Sequence, residues 1–205
     1  MTRRKVIPVS GEVKAHEREV QHKDHSKQGS GTINWEAVAK ARAKRIRALY
    51  RELRRDPLTG VGNRYLLDKL MERRTQLKTG YLVAVVDLDN FKTINDTLGH
   101  AVGDEVLKAA AKALRRCCRA MDRVIRQGGD EFTIVMRKIC PEDTALRREL
   151  KMRLGRASQG LPHGTEFSYG IAQGQASELS KLIKLADQAM YRKKTRSESM
   201  RNKAA

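Results

Sequence analysis

The sequence predicts an α+β domain, a two-layer sandwich in which helices layer on a mainly antiparallel sheet. Three observations carry that reading. The unbroken apolar run Tyr81-Leu82-Val83-Ala84-Val85-Val86 has the composition of a strand buried on both faces. The segments Arg123-Val124-Ile125 and Phe132-Thr133-Ile134-Val135-Met136 flank Gly128-Gly129-Asp130-Glu131, the pattern of two strands joined by a tight turn. Helical periodicity precedes, separates and follows these strands. The resulting order of helix, strand, helices, hairpin, helix, strand, helix suits a sheet covered by helices.

Residues 1–34 mix Lys, Arg, Glu, His, Ser and Gly without a sustained apolar period and read as a disordered basic tail. From Trp35 the pattern changes: Trp35, Val38, Ile46, Leu49 and Leu53 recur at helical spacing among Arg42, Arg45, Arg47, Arg51, Arg54 and Arg55, so 35–55 reads as a basic amphipathic helix. Its stripe suits packing on the domain or on a second copy, or a nucleic-acid-binding arm. Asp56-Pro57-Leu58-Thr59-Gly60 supplies the break, and a second helix carries Leu66, Leu67, Leu70, Met71 and Leu77.

The strand at 81–86 runs into Asp87-Leu88-Asp89, where alternation puts both carboxylates on one side. Charge at the end of a buried strand calls for a compensating cation, for which a metal site is the economical answer, and a plain strand-to-loop boundary is the alternative when the segment is read alone. The helix after Gly99 buries Val102, Val106, Ala110 and Leu114 and leaves Asp104 near its first turn. Beyond the hairpin, Ala145, Leu146, Leu150 and Leu154 mark a helix, 167–172 a strand, Leu179 to Met190 a last helix, and 197–205 a second disordered basic tail.

A length of 205 residues fits one domain with tails, and an aromatic content of 4% implies an aliphatic core. The formal charge of +19 draws polyanions: nucleoside triphosphates, nucleic acid or an anionic membrane surface. Charge alone does not choose among them. Cys117, Cys118 and Cys140 are odd in number and lack metal-ligand spacing, which fits reduced thiols better than a disulfide framework. Val6-Ile7-Pro8-Val9 is too short for a signal-peptide core and no apolar stretch could span a bilayer, so cytoplasmic residence is expected.

Gly128 and Gly129 suit a turn that needs positive φ, and the missing Cβ lets phosphate or sugar approach the backbone. The acids beside them offer oxygens to a metal or a phosphate-bearing substrate. Five motifs then agree in order and spacing: Asp56 to Gly60 with Asn63-Arg64, Asp87-Leu88-Asp89 through Asp96, His100 through Asp104, the Gly-Gly-Asp-Glu-Phe hairpin, and Ala186-Asp187 with Met190-Tyr191 and Lys194. Together they resemble the GGDEF family of bacterial diguanylate cyclases from Asp56 to about Lys194.

The resemblance implies a palm-type, ferredoxin-like nucleotidyl cyclase domain over 56–196, in which two GTP molecules become cyclic di-GMP and pyrophosphate. It implies Mg²⁺ (or Mn²⁺) on Asp87, the Leu88 carbonyl, Asp130 and Glu131, with Asp130, Lys92 and Glu131 catalytic. Asn95 and Asp104 would read guanine, with Phe91, His100, Gly128, Gly129 and Lys194 completing the substrate site. Arg119-Ala120-Met121-Asp122 matches the family's product-inhibition motif. A homodimer joined through 35–55 is implied because each half-site holds one GTP, and the basic N-terminal region adds nucleic acid as a candidate partner. The alternative is a weakly active or inactive domain that binds cyclic di-GMP or nucleic acid. The chain departs from the family where Ser197-Glu198-Ser199 replaces the usual Gly-Arg-Asn, and at Gln127, where an aromatic or Leu is common.

Overall fold

A computed structural model describes residues 33–72, 80–138 and 144–204. In chain order the elements are α1 (Trp35–Leu53), α2 (Arg64–Glu72), β1 (Gly80–Leu88), α3 (Phe91–Leu98), α4 (His100–Arg116), β2 (Arg123–Gly128), β3 (Glu131–Lys138), α5 (Ala145–Ser158), β4 (Phe167–Gln175) and α6 (Leu179–Ala204). Residues 1–32 of the expected N-terminal tail, Leu77 and Cys140 lie outside the described residues. The chain divides into two compact units, Met1–Ala43 and Lys44–Ala205. In the first, α1 begins where the Asn34 Oδ1 accepts the Ala37 N–H at 3.0 Å, a side-chain cap on an otherwise orphaned donor. The sheet and everything described below belong to the second.

The strands run in the order β2-β3-β1-β4, and each of the three named pairings is antiparallel. Leu82, Ala84, Val86 and Leu88 point to one side of β1, where they pack in one cluster with Val106, Ala110 and Leu114 of α4 and Leu150 and Leu154 of α5. Val83 and Val85 point to the other side, toward Leu67 of α2 and Leu182, Ala186 and Met190 of α6. The sheet thus carries helices on both faces. The two layers expected become three, and the unbroken apolar run of β1 is the cause, since neither face of that strand tolerates water.

Helix α6 lies very close to β4 because Gly170 has no side chain: a Cβ there would sit 2.0 Å from the Ala186 carbonyl oxygen and 2.3 Å from the Met190 nitrogen. The helix runs on to Ala204, past residue 196, where a disordered tail was expected. No Gly or Pro interrupts 179–204, so nothing in the backbone chemistry ends it earlier.

The segment between α1 and α2, expected as an interhelical loop, is a clamp. The Asn63 amide donates to the Leu53 and Arg55 carbonyls at 2.8 and 3.1 Å, tying off the end of α1. Gly62 donates to the Val124 carbonyl and accepts from the Arg126 N–H, at 2.9 and 2.8 Å, which lays the segment along the free edge of β2 in a parallel bridge. An exposed strand edge is covered in this way. Among the described residues no helix is long and apolar enough to cross a membrane. Cys117 and Cys118 are free thiols, and burial, with the nearby charge of Asp122 and then Cys117, pushes Cys118 up to about 12.

Candidate active site

The strand register brings the acids to one edge. Val86 opposite Phe132 is the last pair between β1 and β3, after which β1 continues alone along β4 with Asp87 opposite Ser168. On the other strand, Glu131 leads directly back into the turn, where Gly128 pairs with Glu131 around Gly129 and Asp130. Gly129 adopts φ +51°, a left-handed value that a side chain disfavours. A Cβ on Gly128 or Gly129 would meet nothing within 4 Å, so both present bare backbone to open space.

Arg126 holds this turn in place. Its Nε donates to the Gly129 carbonyl at 2.8 Å, while its Nη1 lies 3.3 Å from the Asp56 carboxylate. Both charged heads are mostly buried, at 14% and 15% exposure, and Thr59 N–H donates to the same Asp56 oxygen at 2.9 Å. Neither Arg126 nor Asp56 was singled out as a site residue from the sequence. The signal that could have found Arg126 is a charged side chain between Ile125 and the glycine turn, in a strand otherwise suited to burial.

The acids repel one another. Burial and then the charge of Asp87 raise the Asp130 carboxyl above its ordinary range. Glu131 is raised by burial, then by Asp87, Asp130 and Asp187. Lys194 answers this charge: its Nζ stands 2.6 Å from Asp87 Oδ1. Burial pulls its proton affinity down, but the hydrogen bond and charge of Asp87, with Asp89 and Asp130 behind it, outweigh that and hold it above the usual lysine value. Asp89 is occupied otherwise, accepting a hydrogen bond from Ser168 Oγ at 2.7 Å.

No three His, Cys, Asp or Glu side chains converge as a ligand set among the described residues. The electrostatic pairing of Asp87 with Asp130 nevertheless fits a hard cation, which takes oxygen donors from carboxylates and backbone alike. The Leu88 side chain, 1% exposed, belongs to the core, so only its backbone is available to such an ion.

The residues expected to read the base lie on two successive helices. Asn90, with φ 61°, turns the chain from β1 into α3, and Gly99, with φ 87°, separates α3 from α4. The Asn95 amide of α3 lies against Gly103 of α4: a Cβ on Gly103 would stand 2.0 Å from Asn95 Oδ1. Asp104 is the next residue and is exposed, as are Lys92 and His100. Phe91, 9% exposed, packs in the core. Its expected contact with substrate therefore falls to its backbone. Arg119 is exposed, whereas Asp122 is buried, with Oδ2 accepting the Arg119 N–H at 2.7 Å. That acid closes the turn that presents the arginine.

An antiparallel sheet with helices on both faces bears a tight acidic turn beside a strand-end aspartate, an α+β architecture shared with solved GGDEF domains. Residues 53–200 match the family model described as diguanylate cyclase, GGDEF domain, and the chain belongs to that family. It is 37% identical over 147 residues to the diguanylate cyclase DgcM of Escherichia coli K12, covering 68% of this chain and 35% of that one. It is 34% identical over 199 residues to the diguanylate cyclase DgcP of Pseudomonas aeruginosa, covering 87% of this chain and 29% of that one. The chain thus spans about a third of the length of these relatives. Among solved structures, a sensory box/GGDEF family protein from Caulobacter crescentus superposes with a TM-score of 0.60 at 30% identity, covering 69% of this chain and 98% of that one. The coiled coil and GGDEF domain of Caulobacter crescentus DgcB, solved in complex with c-di-GMP, gives 0.64 at 24% identity, covering 78% and 92%, a likeness of fold.

Proposed function

We propose that this chain is a diguanylate cyclase, condensing two GTP molecules into cyclic di-GMP and pyrophosphate. The observation that carries the reading is the pairing of Asp87 and Asp130 at one sheet edge beside the bare backbone of Gly128 and Gly129. Family membership and the names of its relatives support it. Asp87, Asp130 and the Leu88 carbonyl would hold Mg²⁺ or Mn²⁺, which would supply neutralisation of phosphate charge and a more acidic 3′-hydroxyl.

The chain's own residues do the rest. Asp130 accepts the 3′-hydroxyl proton as general base. Glu131, beside it, is a further contact to hydroxyl or metal. Lys92, exposed on the first turn of α3, neutralises charge growing on the phosphate oxygens as pyrophosphate leaves. Lys194 guards Asp87 until substrate arrives, then turns its ammonium to the terminal phosphates. Asn95 and Asp104 read guanine, which offers two donors where adenine offers one and an acceptor, and His100 and the Phe91 backbone line the same side.

Two such edges must face each other, because each holds one GTP. A homodimer through α1, which exposes Ile46, Leu49 and Leu53, supplies that arrangement, and a GTP-consuming reaction places it in the cytoplasm. Incubating the protein with GTP and Mg²⁺ is expected to yield cyclic di-GMP in a concentration-dependent manner, with no product at any protein concentration refuting the enzyme. Gly103→Ala is expected to push the Asn95 amide aside and raise KM for GTP about tenfold with a smaller change in kcat, as loss of uniform binding does. Product feedback acts through the exposed Arg119, with Asp122 positioning it. Arg119→Ala is expected to abolish inhibition by added cyclic di-GMP and leave the initial rate intact.

A further inference from the structure

A cleft of about 690 Å³ opens between the second half of α1 and the junction of α4 with β2. One wall carries Arg47, Arg51, Arg54 and Arg55, and the other Arg115 and Arg123. None of these arginines takes part in an ion pair among the described residues. Arg115 donates to the Asp122 carbonyl at 3.2 Å, and Arg123 to the Met121 and Asp122 carbonyls at 3.0 and 3.3 Å. Those bonds aim the guanidinium groups without neutralising them. The only acid in the lining is the buried Asp122, one of whose carboxylate oxygens accepts the Arg119 N–H, so a single negative charge stands among six arginines. Arg54 Nε is buried with no hydrogen-bond partner.

We propose that this cleft binds the phosphodiester backbone of a single-stranded nucleic acid. Repulsion among unpaired guanidinium groups at close quarters is relieved by an anion of matching charge density, and arginine forks are shaped for phosphate. Arg47 and Arg51 are one helical turn apart, about 6 Å along the axis, and Arg54 and Arg55 follow just past the end of the helix. Such a ladder suits successive phosphates of a strand better than one compact anion. Tyr50 also lines the cleft, with the Arg54 guanidinium 5.8 Å from its ring centroid. An aromatic ring beside a cationic groove is the device by which strands are held without sequence preference. The inference is independent of cyclase activity.

The test is fluorescence anisotropy on the full chain with labelled oligo-U and oligo-dT at graded salt. Affinity is expected to fall steeply as salt rises. Arg47→Glu with Arg51→Glu is expected to weaken binding at least about tenfold, and Arg123→Gln on the opposite wall to weaken it less but in the same direction. Lys44→Glu with Arg45→Glu changes the net charge equally on the same helix outside the cleft, and is expected to weaken binding less than about threefold. Comparing the two strands decides whether ribose contributes. Equal losses in both double variants would assign binding to diffuse charge and overturn the proposal. So would absence of binding at low salt.

Discussion

Asp130→Asn is expected to lower cyclic di-GMP synthesis by at least about 10³-fold, because on the proposed mechanism it removes the proton acceptor and a carboxylate ligand together, each worth several kcal/mol at the transition state. The same substitution is expected to raise the melting temperature of the metal-free protein. Burial and the charge of Asp87 lift the Asp130 carboxyl above its ordinary range, so the folded chain binds that proton more tightly than the unfolded chain. A group of that kind costs stability as pH rises from the unfolded value through the raised folded value. The wild-type protein should therefore lose stability across that window, and Asp130→Asn should lose less. Melting curves at a series of pH values check this. A variant that is both inactive and less stable would mean that Asp130 serves the fold instead of the reaction.

Gly170→Ala is expected to be the most damaging small substitution in the sheet. The added methyl would meet the Ala186 carbonyl oxygen at 2.0 Å, the Met190 nitrogen at 2.3 Å and the Ala189 carbonyl carbon at 2.9 Å. All three are backbone, so relief requires α6 to move away from β4. Overpacking of this kind costs about 1–3 kcal/mol, and more where backbone must shift, which for a chain of this size lowers Tm by several degrees. Lys194 rides on the same helix, so its contact with Asp87 should loosen too. Gly155→Ala is the control. It lies within α5 with nothing within 4 Å of the added methyl, and is expected to gain about 0.5–1 kcal/mol from helix propensity. Thermal melts of both variants decide the matter, and equal behaviour would refute the packing argument.

Periodicity made the elements legible. The apolar run of β1, the segments around the glycine turn and the stripes of α4 and α5 each mark an element present in the fold. The second helical layer was harder to see, because α2 and α6 cover the sheet from opposite ends of the sequence and a local pattern does not report which face a helix will choose. At the site, acids stand out in a sequence because burying them needs a reason. Positioning groups do not: Arg126 reads as one arginine among many until its contacts with Asp56 and Gly129 are seen, and nothing in the sequence says that Asp122 also closes a turn. Gly103 and Gly170 were silent for the opposite reason, since what matters there is the room left by a missing atom.

The clamp at the end of α1 has a mechanical consequence. Asn63 grips the last carbonyls of the helix, Asp56 follows within the same segment, and Arg126 spans from Asp56 to the carbonyl of Gly129, the residue before Asp130. A displacement of the foot of that helix is therefore expected to be felt at the acidic turn, carried there through Arg126 of β2.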